Sequence, residues 1–330
     1  MTTSFNQGQV HIELGAGTII HGVWNKSKYR VERLLGRGAN GVVYYVVRMN
    51  SRTAPAKGTA LQGFALKIGA EAVDFQSEIN ALTSLESARH HTKLKGERQS
   101  ARPFLVEVDD VEIGGKRHPF YVMRYVEGVT LSTYLRRHGN QWFGLIGSKL
   151  LYRLAELHAA GWIFSDLKAE NVLVSPDGEV ELVDYGGLTR DGGSIRQFTE
   201  LYDRGYWNGG LRSADIGYDL FSFAVLAVHL YQKDALKRSV QGSLPQTRQR
   251  EDLMEIIRDC PALRPYQQWL QHAIYGRFHS TEKAWKEWKQ ISGSVYRRTG
   301  LPNHPTPRWL KLSFTGSVML IVVILIYYAR

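Results

Sequence analysis

The sequence predicts an α+β chain, with strand-forming segments first, helical segments later and a polar hairpin between them. Three observations carry this. Residues 29–48, YRVERLLGRGANGVVYYVVR, set β-branched and aromatic runs on both sides of a glycine-rich turn. Residues 73–89 repeat Phe75, Ile79, Leu82 and Leu85 at helical spacing, and 145–160, LIGSKLLYRLAELHAA, form a second amphipathic pattern. Residues 161–186, GWIFSDLKAENVLVSPDGEVELVDYG, place Asp166, Lys168 and Asn171 within six residues, with Asp184 thirteen residues further on.

Each element follows in order. Residues 1–28 mix glycines with β-branched residues and allow a short strand or two. Gly36, Gly38 and Gly41 lie between apolar runs, where missing Cβ atoms let backbone amides close over phosphates. A dinucleotide fold would need a helix directly after such a turn, whereas VVYYVV continues as a strand. After a loop from Asn50 to about Gly58, GFALKIG at 63–69 reads as a strand carrying Lys67. A helix with Glu78 and Glu86 follows. The stretch 89–102 holds five Lys or Arg and one Glu, which suits a solvated loop or a patch for an anionic partner.

The hairpin carries the chemistry. VLV and VELV flank SPDGE, and an Asp-Gly turn lets two strands pair antiparallel. Asn171 and Asp184 then return side by side, and two oxygen-bearing side chains facing one site suit Mg²⁺ carrying phosphates. Asp166 and Lys168 sit at the mouth of that site. Together they offer an acceptor for a hydroxyl proton, a cation near a transferred phosphate and two metal ligands.

These residues carry a resemblance. DLKAEN followed by DYG resembles the catalytic and metal-binding loops of protein kinases, D-L-x-x-x-N and D-F-G. The glycine turn matches G-x-G-x-x-G-x-V through Val43, and GFALKIG is similar to the V-A-I-K strand. The resemblance spans about 29 to 275. It implies a two-lobed protein-kinase fold, with a small antiparallel β lobe and one helix over a large helical lobe, and ATP and Mg²⁺ between them.

By the same resemblance, Asp166 accepts the substrate proton and Lys168 neutralises the transferred phosphate. Asn171 and Asp184 hold the metal. Gly36, Gly38, Gly41 and Val43 cover the nucleotide. Lys67, paired with Glu78 rather than Glu86, grips the α and β phosphates. HPFYVMRYVEGVTLSTYL at 118–135 is similar to the strand and hinge between lobes, so backbone groups of Arg124 and Val126 would meet the adenine edge, beside Met123. Asp219 resembles the aspartate that braces the catalytic loop. His158 is expected to pack or hydrogen-bond within its helix.

The chain departs from that pattern in places. Phe164 and Ser165 precede Asp166 where the family commonly has His-Arg, which removes an arginine that often holds an activation-segment phosphate. No A-P-E tripeptide follows, and GYWNGG at 205–210 stands near its place. Arg264 resembles the arginine that pairs with the A-P-E glutamate. Thr189, Ser194, Thr199 and Tyr202 are candidate phosphorylation sites, with Arg190, Arg196 and Arg204 as candidate phosphate holders.

Composition bounds the setting. The 330 residues, 43% hydrophobic, suit one two-lobed domain with a modest remainder. The single Cys260 excludes an internal disulfide framework and agrees with a reducing compartment. The N-terminus has neither the basic start nor the apolar core of a signal peptide. Residues 312–328, LSFTGSVMLIVVILIYY, are uncharged and, at about 1.5 Å per residue, span roughly 26 Å, close to a bilayer core. Four basic residues precede this run closely and only Arg330 follows it, which keeps the N-terminal part cytoplasmic.

The formal net charge is +11, and residues 231–311 hold fifteen Lys or Arg against seven Asp or Glu. That excess suits the anionic inner leaflet or a polyanion such as DNA. Trp285 and Trp288 belong to a helix packed on the large lobe or lying along a membrane.

The expectation is therefore an N-terminal extension (1–28), a kinase domain (29–275), a basic juxtamembrane tail (276–311) and a transmembrane helix (312–328). Such a chain would be a membrane-anchored, cytoplasm-facing Ser/Thr protein kinase that phosphorylates proteins and itself, with possible DNA contact and homodimers for trans-phosphorylation. A nucleotide-binding pseudokinase scaffold and a small-molecule kinase are the alternatives.

Overall fold

The computed structural model describes residues 5–6, 9–10, 12–38, 41–49, 63–69, 72–89, 104–195, 198–242, 244, 247–299 and 308–328. The basic stretch at 90–102 and Arg196 lie outside them. The chain divides into two compact units, Met1–Lys289 and Gln290–Arg330.

The first unit opens with a two-residue ribbon, β1 (Phe5–Asn6) with β2 (Gln9–Val10). A six-stranded antiparallel sheet follows. It comprises β3 (Ile19–His21), β4 (Lys28–Gly38), β5 (Gly41–Arg48), β6 (Gly63–Gly69), β7 (Leu105–Ile113) and β8 (Lys116–Arg124). Its order is β3-β4-β5-β6-β8-β7. Helix α1 (Ala72–Arg89) packs on this sheet, with Phe75 stacked on Tyr121 of β8 at 5.3 Å.

Strand alternation explains what the sheet presents to each side. Leu66 and Ile68 of β6 join Tyr29, Val31, Tyr44 and Phe120 in a buried core on one face. Lys67, between them, points to the other face. Gly41 is required by backbone geometry: its φ is +148°, and a Cβ there would lie 2.1 Å from the Ile68 carbonyl oxygen.

The larger lobe is mainly helical. It runs through β9 (Val129–Thr130), α2 (Leu131–His138), α3 (Phe143–Ala159), β10 (Trp162–Ile163), β11 (Val172–Val174), β12 (Val180–Leu182) and β13 (Thr189–Arg190). Helices α4 (Ile216–Tyr231), α5 (Lys233–Gly242), α6 (Arg250–Asp259), α7 (Gln267–Ile274) and α8 (Thr281–Thr299) complete it, α8 continuing into the second unit. The Asp215 side chain starts α4 by accepting the Tyr218 amide at 3.0 Å, as a helix N-cap does. Most of α4 is buried, from Tyr218 through Val228.

Trp288 of α8 is fully buried, and its Nε1 donates to the Gly144 carbonyl at 2.9 Å. Rings of Phe143, Phe223, Tyr266 and Trp269 surround it. Trp285 packs on Tyr152 at 5.0 Å. Of the two placements expected for these tryptophans, the first half of α8 takes the one on the large lobe.

In the second unit, α9 (Arg308–Tyr328) holds the apolar C-terminal run. Leu312, Phe314, Met319, Leu320 and Ile326 are exposed there. Among the described residues no helix is long and apolar enough to cross a membrane, and the side chains of 322–325 lie outside that description.

Candidate active site

The site is built from the β6 strand, helix α1 and the β10–β13 hairpin region. Lys67 Nζ bonds both carboxylate oxygens of Glu78, at 2.8 and 2.9 Å, and reaches Asp184 Oδ1 at 2.9 Å. Lys67 and Glu78 are each 3% exposed, so the pair is sealed from water. Tyr121 donates its hydroxyl to Glu78 Oε1 at 2.9 Å, which fixes the carboxylate from behind. Glu86 is engaged elsewhere, its Oε2 accepting the Phe104 amide at 3.1 Å.

Electrostatics agree with this geometry. Burial works to lower the Lys67 pKa, yet Glu78 and Asp184 outweigh it and hold the ammonium above its ordinary value. Burial works to raise Asp184, and the Lys67 charge beside it keeps its carboxyl below the usual range. Burial, then Glu78, pushes the Tyr121 hydroxyl far up, so it stays a donor.

The hairpin forms as the Asp-Gly signal implies. Val172 pairs with Leu182 and Val174 with Val180, and Gly178 takes a φ of +80° in the turn. The Val183 amide donates to the Asn171 carbonyl at 2.9 Å, which sets Asp184 beside Asn171. Asp184 itself has φ +59°, and Ser165 has φ +70°. Such left-handed backbone costs of order 1–3 kcal/mol for a non-glycine residue and persists where surrounding contacts dictate it.

At the mouth, Lys168 Nζ bonds Asp166 Oδ2 at 2.6 Å. Asn171 Nδ2 donates to the Asp166 carbonyl at 2.9 Å and to its Oδ2 at 3.2 Å. That orientation leaves Asn171 Oδ1 as the oxygen available to a metal. Asn171 Oδ1 and the Asp184 carboxylate are hard donors that fit a divalent, oxygen-seeking ion. Among the described residues no group of three or more His, Cys, Asp or Glu could hold a metal. A cation here would complete its shell with water and phosphate oxygens.

The glycine turn and the hinge close the arrangement. A Cβ at Gly38 would stand 3.9 Å from Asp184 Oδ2, so this turn passes over the same carboxylate, while Gly36 has open space around it. Val43 pairs with both Gly36 and Lys67 in the sheet. At the hinge the Arg124 amide donates to the Phe104 carbonyl at 2.8 Å. The Arg124 side chain bonds Glu181 at 2.9 Å. Met123 is buried at the end of β8 and Val126 is half-buried beyond it.

Asp219 braces the catalytic loop as its resemblance implied. Asp219, fully buried, accepts the Phe164 amide at 2.7 Å and the Ser165 amide at 2.8 Å. Phe164 fills the place of a histidine by packing, its ring edge-on to Tyr185 at 5.8 Å, with Phe104 on Tyr185 at 5.2 Å.

Among the candidate hydroxyls, Thr199 is engaged at the catalytic loop. Its hydroxyl donates to Asp166 Oδ1 at 2.9 Å and takes a 3.3 Å contact from Lys168, a role its position 33 residues from Asp166 hid. Tyr202 is buried, with its hydroxyl 2.6 Å from His229 Nδ1. Arg264 is exposed and makes no ion pair among the described residues. An arginine from outside the segment that holds it is Arg248, which is 4% exposed and bonds Glu200 at 2.7 Å.

His158 does more than pack. Its Nε2 lies 2.8 Å from Asp219 Oδ2 and its Nδ1 2.6 Å from Thr281 Oγ1. The start of α8 is thereby linked through His158 and Asp219 to the catalytic loop.

Comparison with known proteins agrees with the fold and the site. The Protein kinase domain family matches residues 29–297. The chain is 32% identical to the serine/threonine-protein kinase YabT of Bacillus subtilis, over 83% of this chain and 74% of that one. It is 42% identical to the serine/threonine-protein kinase PknL of Mycobacterium tuberculosis over 73 residues, 21% of this chain and 18% of the other. The solved structure of vaccinia related kinase 3 aligns over 87% of this chain and 92% of its own, with TM-score 0.55 and 15% identity, which speaks for the fold alone. The family implies ATP and a divalent metal. By its fold, its site and these relatives, the chain belongs to the protein kinase family, as a serine/threonine protein kinase similar to YabT.

Proposed function

We propose that the chain transfers the γ-phosphoryl group of Mg²⁺-bound ATP to serine and threonine hydroxyls of proteins, itself among them, while anchored to the cytoplasmic face of a membrane. The observation that carries the catalytic part is the closed Glu78–Lys67–Asp184 chain of contacts, which holds the phosphate-gripping lysine against both its helix and its metal-binding carboxylate. A positioned group saves the entropy of finding its place during the reaction.

The steps follow from the residues. Lys67 grips the α and β phosphates. The Arg124 carbonyl and Val126 amide take the adenine edge, and Gly36, Gly38, Gly41 and Val43 cover the nucleotide. Asn171 and Asp184 would hold Mg²⁺, which would supply charge neutralisation for the phosphates. Asp166 accepts the proton of the attacking hydroxyl as its oxygen bonds to the γ phosphorus and the bond to the β-phosphate oxygen breaks. Lys168 steadies the charge on the moving group. Thr199 and Asn171 hold the Asp166 carboxylate in place.

Exposed apolar side chains along α9 support the anchor, since contiguous exposed apolar surface marks a partner or a membrane. The basic excess between 231 and 311 supports attraction to anionic lipid, and a polyanion such as DNA could use the same charge to gather molecules for trans-phosphorylation in homodimers.

The test is label transfer from γ-labelled ATP with Mg²⁺ to the chain and to a generic basic protein, beside Lys67→Ala, with and without DNA and anionic vesicles. Label in wild type alone supports the kinase. Flotation of the full chain, but not of residues 1–305, with vesicles supports the anchor. ATP binding with no label under any condition would turn the account to a pseudokinase scaffold.

A further inference from the structure

The chain ahead of β3 is built into the small lobe. Ile12, Leu14 and Ile20 are buried in the same core as Tyr29, Val31, Tyr44 and Phe120. Two backbone bonds dock the next residues on β4. The Gly17 amide donates to the Val31 carbonyl at 2.8 Å, and the Val31 amide donates to the Thr18 carbonyl at 2.9 Å. Residues 12–14 are held by side chains as well. The ring of Tyr44 is 1% exposed, and its hydroxyl accepts from the Leu14 amide at 3.1 Å and donates to the Ile12 carbonyl at 3.2 Å. Burial pushes this hydroxyl up from its ordinary value, so it keeps the proton that it donates.

Between those two residues Glu13 is exposed, and its Oε1 accepts from Arg37 Nη2 at 2.6 Å. Arg37 stands in the glycine turn, between Gly36 and Gly38. Tyr44 reaches the same turn from the other strand. Successive side chains of a strand point to opposite faces. Tyr44 therefore faces the core and residues 12–14, while its neighbour Val43 pairs with Lys67 and shares the face of the active site. Strand β4 shifts register twice on its way to the turn, between Val31 and Arg33 and between Leu34 and Gly36. Such irregularities bend a strand, and Gly36 has open space around it. A bent, glycine-rich turn has little packing of its own to set its height.

We propose that residues 12–14 form a strap that sets the position of the glycine turn over the phosphates of ATP, with Tyr44 and Glu13 as its positioning residues. This rests on the proposed covering of the nucleotide by Gly36, Gly38 and Gly41. Neither residue touches the nucleotide. Tyr44 fixes the strap to β5, and Glu13 on the strap aims Arg37 at the tip of the turn.

The two tethers carry unequal weight. Glu13 and Arg37 are both exposed, where water screens the pair and holding two long side chains costs entropy. The Tyr44 hydroxyl is buried, and its removal leaves the Leu14 amide and the Ile12 carbonyl without that partner. Phenylalanine at 44 keeps the ring in the core while it releases the strap, so Tyr44→Phe is the sharper probe.

The test measures binding of ATP with Mg²⁺ and of adenosine to the full chain and to Tyr44→Phe by calorimetry, beside KM for ATP with a generic basic protein as substrate. Adenosine has no phosphates for the turn to cover. Tyr44→Phe should bind ATP about three- to tenfold more weakly, the weight of one ordinary hydrogen bond, with KM for ATP rising to match and adenosine affinity unchanged. Equal losses for ATP and adenosine would mean a lobe loosened throughout, and they overturn the proposal. Wild-type ATP affinity in a folded Tyr44→Phe also overturns it. Should urea unfolding show that Tyr44→Phe does not fold, a cycle of Glu13→Gln, Arg37→Gln and the double variant decides. ATP affinities that depart from additivity by about twofold or more support the strap, and additive ones overturn it. A wild-type chain that binds ATP no more tightly than adenosine overturns the covering role of the glycine turn together with the strap.

Discussion

Replacing Glu78 by glutamine tests how much the buried lysine contact matters. The change keeps shape and one acceptor oxygen while removing the charge. Glu78 receives two bonds from Lys67 and one from Tyr121, all at 2.8–2.9 Å, in a site 3% exposed. Each charge-assisted bond is worth about 1.5–3 kcal/mol, and breaking a buried pair costs about 3–5 kcal/mol. Lys67 retains Asp184 at 2.9 Å, and glutamine retains one acceptor, so the loss should lie at the lower end, about 2–3 kcal/mol. Felt in the transition state, this is roughly a 30- to 150-fold drop in kcat/KM. Initial rates over a range of ATP concentrations, beside urea unfolding of the same preparations, measure both effects. Wild-type kcat/KM, with a midpoint and slope unchanged, would refute the reasoning.

Other consequences follow from neighbouring contacts. Trp288→Ala removes a fully buried ring and its bond to the Gly144 carbonyl, and should cost about 3–5 kcal/mol in denaturant unfolding. Thr281→Val leaves His158 Nδ1 without its 2.6 Å partner and should lower kcat several-fold with KM for ATP nearly unchanged, while Thr281→Ser restores it. Acid unfolding should depend on Asp215, whose carboxyl burial tends to raise but the Arg204 guanidinium beside it holds below its ordinary value. The folded pKa is the depressed one, so this stabilisation is full above about pH 4, the unfolded value, and is lost as pH falls through the folded value. Asp215→Asn should make the unfolding midpoint less sensitive to pH below that point.

What the sequence revealed and what it hid have physical causes. Lys67 and Glu78 were legible because strand alternation and helical spacing fix their directions within short segments. Asn171 and Asp184 were legible because one tight turn returns the chain on itself. The partners of Thr199, Tyr202 and Arg248 were not. Each is set by irregular backbone between Gly187 and Asp215, where no period tells which side faces inward. The Thr281–His158 contact spans 123 residues and joins two helices whose adjacency depends on the whole lobe. Arg264, which resembles a pairing arginine by its position along the chain, stands exposed in the 3-10 turn at Pro261–Tyr266. The tryptophans of α8 allowed two placements, since a ring that suits a membrane interface also suits a protein core.

The most direct test of the central claim is the single-turnover rate of phosphoryl transfer to a serine peptide by wild type and by Asp166→Asn, with ATP binding measured on the same samples. Asparagine keeps the size and one acceptor oxygen, where the carboxylate accepts from Lys168 at Oδ2 and from Thr199 at Oδ1, but it cannot take up a proton. The account predicts a rate lower by about 10²- to 10⁴-fold with ATP affinity little changed. An Asp166→Asn chain that transfers phosphate at the wild-type rate would contradict it.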